Sequence, residues 1–310
     1  MTAVASPPDR KVRRSGGDLT FAGISLAAGI IMLVVLAGVA VFLVVQSIPA
    51  FAATADEIPG AETLRGYLGP LAFGTVVSSI LAMFFAVPLA VGVALFITHY
   101  APRRLAQALG YLVDLLAAVP SVVFGLWGIF WLAPKMVPLY SWLTSYLGFI
   151  PLFDSASVTG RTILTAGLVL AVMILPIVTA ICREVFLQAP TLQEEAALAL
   201  GATRWEMIRM AVLPHGRAGI VSGAMLGLGR ALGETLAVAL VLSVNPTLIT
   251  ANLIGTTNPS TIAANIALQF PESFGVSVNI LVLSGLLLFV ITFVVNLAAR
   301  AIVARGKVAA

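Results

Sequence analysis

Charge is what this chain has least of. Only 10% of its 310 residues are Asp, Glu, Lys or Arg and 60% are hydrophobic, whereas a soluble domain carries about 25% charge. Mean hydropathy is +1.07. That balance excludes an ordinary soluble domain and points to an integral membrane protein. Cysteine is limited to Cys182, so no intramolecular disulfide forms. The thiol is expected to be packed near the end of a span. Histidine occurs twice, His99 and His215, each at the end of an apolar segment. With no His/Cys cluster, a metal site is not expected. The lysines are Lys11, Lys135 and Lys307, and none stands in G-x-x-x-x-G-K-[ST]; Gly306-Lys307 is followed by Val308. The chain therefore lacks the phosphate-cradling loop of an ATPase. No strand-length alternation appears, so a β-barrel is not expected.

What is present is a series of six long apolar segments, roughly 19–47, 69–98, 106–133, 162–187, 216–244 and 278–300. Each exceeds the ~20 residues that cross ~30 Å of hydrocarbon. The first is too long for the core of a signal peptide. Ala50-Phe51-Ala52 only imitates a cleavage site, and the span is expected to be retained. The predicted class is an all-α polytopic membrane protein with six transmembrane helices. Residues 1–18 read as a polar tail, 19–303 as the membrane domain and 304–310 as a second tail.

The formal net charge of +4 does not signal a nucleic-acid partner, because the cations are placed by topology. Arg10, Lys11, Arg13, Arg14, Arg103, Arg104, Arg183, Arg204, Arg209, Arg217, Arg300, Arg305 and Lys307 fall on one side, and Arg65, Lys135 and Arg161 on the other. The positive-inside rule puts both termini in the cytoplasm. The longer stretches 134–160 and 245–277 then lie outside. Trp142, Tyr146 and Phe149 suit an interfacial helix, and Thr261 to Gln269 suits a short helix. Pro88, Pro120 and Pro176 interrupt spans, as hinges or as tolerated kinks. No inverted repeat is visible, which argues mildly against secondary transporters built on one.

A polar island at 190–217 separates the fourth and fifth apolar segments. Thr191 and Glu194 match a capping box, Ala196 to Leu200 favour helix, and Gly201 breaks it. Residues Ala202 to Val212 suit a second helix, which Pro214 is expected to stop. A helix–glycine–helix hairpin of this kind fills a groove on a partner.

In the fifth segment, Gly219, Gly223 and Gly227 are four apart, as are Gly229 and Gly233, a spacing that lets helices approach closely. Arg230 and Glu234 lie in the same segment. Each costs about 2.5–3.5 kcal/mol at a helix centre in the bilayer, so each needs a wet cavity or a partner. At i and i+4 they pair on a continuous helix. Two readings follow: a self-neutralising pair, or an anion site in which Arg230 binds a tetrahedral oxyanion. Asp114 is expected to pair with a nearby arginine.

Glu195-Ala196-Ala197, then Gly201, then Leu213-Pro214 resemble the EAA loop of type I ABC importer permeases; Ala211 departs from the larger aliphatic residue common there. Leu116 to Gly128, ending Gly125-Leu126-Trp127-Gly128, and Gly227 to Thr235 narrow the resemblance to phosphate-specific permeases, more like the PstC type than PstA. It covers about residues 18–303. The resemblance implies a MetI-like transmembrane domain and phosphate import across a bacterial inner membrane. It implies Arg230 and Glu234 on the substrate pathway, with Glu195, Ala196, Ala197, Gly201, Trp205 and Pro214 coupling to an ATPase. The implied partners are a PstA-like second permease as heterodimer, two copies of an ATPase holding ATP and magnesium, and an extracytoplasmic phosphate-binding protein. A permease for sulfate or molybdate, an ion-gradient transporter or channel, and a membrane-embedded enzyme are the competing classes. For the enzyme, no Ser/His/Asp arrangement is evident.

Overall fold

The structure is a computed structural model describing residues 16–245 and 249–308. Residues 1–15 of the expected tail, Pro246 of the expected Asn245-Pro246 break, and the last two residues lie outside that range. Among the described residues the chain is helical but for loops and one single-residue bridge, Val244 to Asn258.

The first helix, α1 (Gly16–Ser47), lies against the last, α12 (Val276–Val308). Its outer side chains are exposed along its length, including Phe21, Met32 and Phe42. An apolar surface of that extent belongs against lipid or another membrane subunit. At the centre, α6 (Ile163–Leu187) packs along α2 (Leu64–Leu95) and α9 (Leu213–Leu232). Ala82, Ala86, Ala90 and Ala94 recur every four residues on α2 and are fully buried. This small-residue stripe lets two helix backbones meet without a hydrophobic driving force.

Glycines do the same between α9 and α6. A Cβ on Gly219 would strike the Val185 side chain, and one on Gly227 would sit 2.9 Å from Val178 Cγ2. Gly223 faces Ile181 and Gly216 faces the Phe186 ring. The expected packing role thus holds for Gly219, Gly223 and Gly227. It does not hold for Gly229, which has nothing within 4 Å of its Cβ position, nor for Gly233, which ends the helix. Overpacking a tight site costs about 1–3 kcal/mol. Gly219→Leu is therefore expected to lower the thermal midpoint of the purified protein, whereas Gly229→Ala leaves it unchanged or higher.

Five helical stretches are long and apolar enough to cross a bilayer: Thr20–Ala52, Leu64–Tyr100, Ser121–Leu147, Ile163–Leu187 and Val276–Ala301. Two of the six expected spans differ. The third, expected over 106–133, breaks after α3 (Arg103–Ala117). Pro120 carries no N–H and disfavours helical geometry in the residue before it. The helix restarts as α4 (Ser121–Trp127) and continues through a π-turn into α5 (Ala133–Leu147). Trp142 and Tyr146 stand on the last turns of α5, with ring centroids 5.2 Å apart. The expected separate interfacial helix is thus the end of a span. The fifth, expected as continuous over 216–244, is interrupted between α9 and α10 (Leu236–Val241). The short helix expected from Thr261 is present as α11 (Ile262–Gln269), capped by the Thr261 hydroxyl.

Three π-turns, Phe96–Tyr100, Gly128–Leu132 and Ile208–Val212, each stand two residues before a proline: Pro102, Pro134 and Pro214. At Pro134 and Pro214, where the helix continues, the proline ring would clash with the carbonyl four residues back, and a widened turn moves that carbonyl away; at Pro102 the chain leaves the helix. Pro214 consequently does not stop the island's second helix. The helix runs from α8 (Arg204–Met207) through the π-turn into α9, so the island is joined to the fifth span by one continuous rod.

Candidate transport site

Arg230 lies on α9, two residues before the helix ends. Its side chain stands one turn from Gly227, at the border of the glycine surface that α6 covers, and it is exposed. It lines a cleft of about 560 Å³ with Ser222, Leu226 and Gly229 of α9, Ile177 of α6 and Asn296 of α12. Among the described residues its guanidinium has no ion pair and no hydrogen bond; the ion pairs formed are His99–Glu194 and Arg183–Asp114. An arginine in a membrane helix with no counter-ion must face water or an anionic ligand.

Glu234 does not pair with it. The helix ends at Leu232, so i and i+4 no longer share a face. The carboxylate is buried, 8% exposed, and Oε1 accepts from the Ala237 N–H at 3.1 Å. It thus sits at the N-terminus of α10, where unpaired N–H groups and the helix dipole favour negative charge. That competition explains the break, because a side chain that captures a backbone N–H offers the chain an alternative to continued helix. Low-propensity Gly229 and Gly233 ease the interruption.

The far end of α10 is held as well. Arg161 donates from Nη2 to the carbonyls of Leu240 (3.2 Å) and Leu242 (2.9 Å), and from Nε to that of Val241 (3.4 Å). A cation at a helix C-terminus satisfies orphan carbonyls and opposes the dipole. Beside α10 runs α4. Gly125 lies under the Ala237 backbone, and Gly128 lies between Val169 and Val241. The Gly-Leu-Trp-Gly sequence thus has a steric basis: two short helices, each following a break, pack with no room for a side chain at either glycine.

At the other pole is the island. Its first helix, α7 (Thr191–Ala199), takes Pro190 as its cap residue, so the expected Thr191–Glu194 capping box does not form. Glu194 instead reaches His99 at the end of α2's π-turn, Oε1 to Nε2 at 3.6 Å. Gly201 ends α7 in the left-handed region, φ +87°. Gly201 N–H donates to Leu198 O, and Ala202 N–H to Ala197 O; this is the doubly bonded glycine turn that closes many helices. A capping box does form, three residues into the next segment. The Glu206 N–H donates to the Thr203 hydroxyl, and Thr203 N–H donates to Glu206 Oε2 at 2.8 Å.

Of the expected coupling residues, Ala197 packs against the buried cluster around Phe186, Met207 and Ile208. Glu195, Ala196, Gly201, Trp205 and Pro214 are exposed. Next to Gly201, Leu200 is 89% exposed, and Trp205 is 55% exposed. The hairpin is therefore anchored by one face and presents apolar side chains on the other.

The Thr203 N–H, with the Thr203 hydroxyl, holds the Glu206 carboxyl below its ordinary range. A depressed value in the folded state means the cap contributes above the unfolded carboxyl value, 4.5, and is lost as pH falls through the folded one. The hydrogen-exchange protection factor of the first turn of α8 is expected to be highest at neutral pH and to fall as the pH drops below the ordinary carboxyl value, 4.5. In Thr203→Val that pH dependence disappears.

The family of binding-protein-dependent transport system inner membrane components matches residues 86–307, a range that includes the cleft's α9 and α12, both broken spans and the hairpin. The chain belongs to this family. It is 49% identical over 312 residues to the phosphate transport system permease protein PstC 2 of Mycobacterium bovis, covering 96% of this chain and 94% of that one. It is 37% identical over 317 residues to the PstC of Xylella fastidiosa, covering 97% and 95%. Among solved structures, a bacterial alginate ABC transporter in complex with pentasaccharide-bound periplasmic protein aligns at TM-score 0.61 and 18% identity, covering 91% of this chain and 93% of that one. An inward-facing MetNI methionine transporter aligns at TM-score 0.56 and 17% identity, covering 77% and 96%. These two likenesses bear on fold, and they place the chain in the all-α MetI-like architecture expected from its sequence. As a transport-system inner membrane component, this permease is a multi-pass membrane subunit.

The permease's Asp114 pairs with Arg183 at 3.6 Å, as expected, and Cys182 is fully buried. Arg161 was not singled out as a site residue. Its partners are about 80 residues away, and no local pattern announces them. The His99–Glu194 contact is equally silent in sequence.

Proposed function

We propose that this permease carries inorganic phosphate inward through an ATP-driven importer, with Arg230 as the charged contact of the anion. The observation that carries the reading is an arginine near the end of α9, facing an open cleft, with no counter-ion among the described residues. Its relatives' names as phosphate permeases supply the substrate. A planar guanidinium suits two oxygens of a tetrahedral oxyanion. Glu234, fixed at the start of α10, keeps negative charge near the path and limits how tightly an anion rests there.

The hairpin at 190–214 docks on a separate ATPase subunit, which binds ATP and magnesium. The hairpin and both termini face the cytoplasm. The rod from Arg204 to Leu232 joins the docking surface to the residue before the α9–α10 break. A push on the hairpin therefore displaces Arg230 relative to α10, which Arg161 and the close packing at Gly125 and Gly128 hold in place. A PstA-like permease completes the cavity as heterodimer, two ATPase copies drive it, and an extracytoplasmic binding protein delivers phosphate.

Proteoliposomes containing the whole complex test the substrate. Accumulation of labelled phosphate must require ATP and binding protein, and a tenfold excess of sulfate or molybdate, roughly the ratio that a 1.4 kcal/mol preference overcomes, must leave it largely intact. Uptake that ignores ATP, or that sulfate suppresses fully, contradicts the reading.

A further inference from the structure

The cleft beside Arg230 has a second polar group that no charge or motif signals. Asn296 stands on α12, inside an apolar run that reaches Ala301. The helix carries one other asparagine, Asn279, whose Nδ2 donates to Gln46 O at 2.6 Å and ties α12 to α1. Asn296 has no hydrogen bond among the described residues and is exposed into the cleft lined by Arg230 and Ser222. An amide left without partners in hydrocarbon costs about 2–7 kcal/mol, depending on the reference state. Its position on a wet path removes that cost.

The face of α9 beside the glycines explains the direction of the path. Ser222, Leu226 and Arg230 recur every four residues and line the cleft together, so Ser222 lies two turns, about 12 Å, toward the hairpin end. The Ser222 hydroxyl already donates to Ala218 O at 2.8 Å, which leaves its oxygen as an acceptor. Asn296 supplies two N–H donors and one acceptor and no charge. A partly protonated oxyanion has the complementary set of groups.

We propose that Asn296 is a second contact for the translocated anion, a neutral station that receives it from Arg230 on the way to the hairpin end. The inference rests on the transport reading above. A neutral amide binds an anion more weakly than a guanidinium does, so the ion is passed on rather than held.

The test is ATP-dependent uptake of labelled inorganic phosphate by the complete complex in proteoliposomes, with ATPase stimulation by the binding protein as a control for assembly. Asn296→Asp is nearly isosteric and adds a negative charge. It is expected to lower the maximal rate about tenfold or more, with little change in the half-saturating phosphate concentration. Asn296→Gln, which keeps the amide, is expected to stay within about threefold of the unmodified complex. A wild-type rate for Asn296→Asp overturns the proposal, and so does an equal loss in Asp and Gln variants, which marks a packing role. If the aspartate variant fails to assemble, Asn296→Leu decides: a fall of about fivefold supports the proposal and an unchanged rate overturns it. Normal uptake by Arg230→Gln defeats the underlying transport reading. Loss in Arg230→Gln alongside normal uptake in the Asn296 variants defeats only this inference.

Discussion

Arg230→Gln is expected to abolish phosphate uptake by a complex that still assembles. Glutamine keeps most of the length and some hydrogen bonding, and it removes the charge and the fork. Truncating one partner of a desolvated, hydrogen-bonded charge pair costs about 2–5 kcal/mol, or roughly 30- to several-thousand-fold in rate. Folding should be spared, because Arg230 makes no internal hydrogen bond or ion pair among the described residues and its removal leaves no partner stranded. Arg230→Lys restores charge without planar bidentate geometry, so partial recovery is expected. Uptake by each variant, with complex yield by size exclusion, checks the ranking Arg above Lys above Gln. Glu234 behaves differently. Its carboxylate holds the Ala237 N–H, so Glu234→Leu is expected to lower stability as well as uptake.

A double change on the hairpin, Leu200→Asp with Trp205→Ala, is expected to sever transport from ATP hydrolysis. Both side chains are exposed on the hairpin, and neither belongs to the buried cluster that anchors α7 and α8. Apolar residues held out by a rigid turn are the usual anchors of an interface, and removing a buried tryptophan anchor costs about 2 kcal/mol or more. Affinity for the ATPase subunit should fall about 30-fold or more, with membrane insertion unchanged. Titration of the ATPase onto the reconstituted permease measures this directly. Undiminished binding means that the docking surface lies elsewhere.

The residues that announced themselves in sequence were those whose role is local or repetitive. The packing of Gly219, Gly223 and Gly227 was legible because small residues four apart let a helix approach closely, although the same spacing at Gly229 and Gly233 meets no neighbouring helix; Gly201 was legible because a left-handed turn suits glycine. The two breaks were harder to see. Glu234 reads as an i+4 partner of Arg230 only if the helix continues. Its capture of the Ala237 N–H ends that assumption, and the balance between cap and continued helix is a tertiary one. The sequence also holds two capping-box patterns, Thr191–Glu194 and Thr203–Glu206. The first is displaced because Pro190 takes the cap position and Glu194 meets His99, contributed by the end of the second span. Pro214 carries a sequence mark, X-Pro near a span end, which suggests a stop; the π-turn Ile208–Val212 before it lets the helix continue instead. Arg161 and Asn296 escaped notice because their significance lies in distant elements, about 80 residues away for Arg161 and 66 residues away, at Arg230, for Asn296.

A single reactive position on the hairpin offers the most direct test that it transmits a nucleotide-driven stroke. Cys182 is fully buried and should stay silent toward reagents, so Leu200→Cys provides one reporting thiol. In an importing complex this cysteine is expected to cross-link to the ATPase subunit in a yield that changes between ATP-bound and nucleotide-free states, and to be shielded from reagents added outside the membrane. Labelling from the outside, or efficient import with no contact between residue 200 and the ATPase in any nucleotide state, contradicts the account.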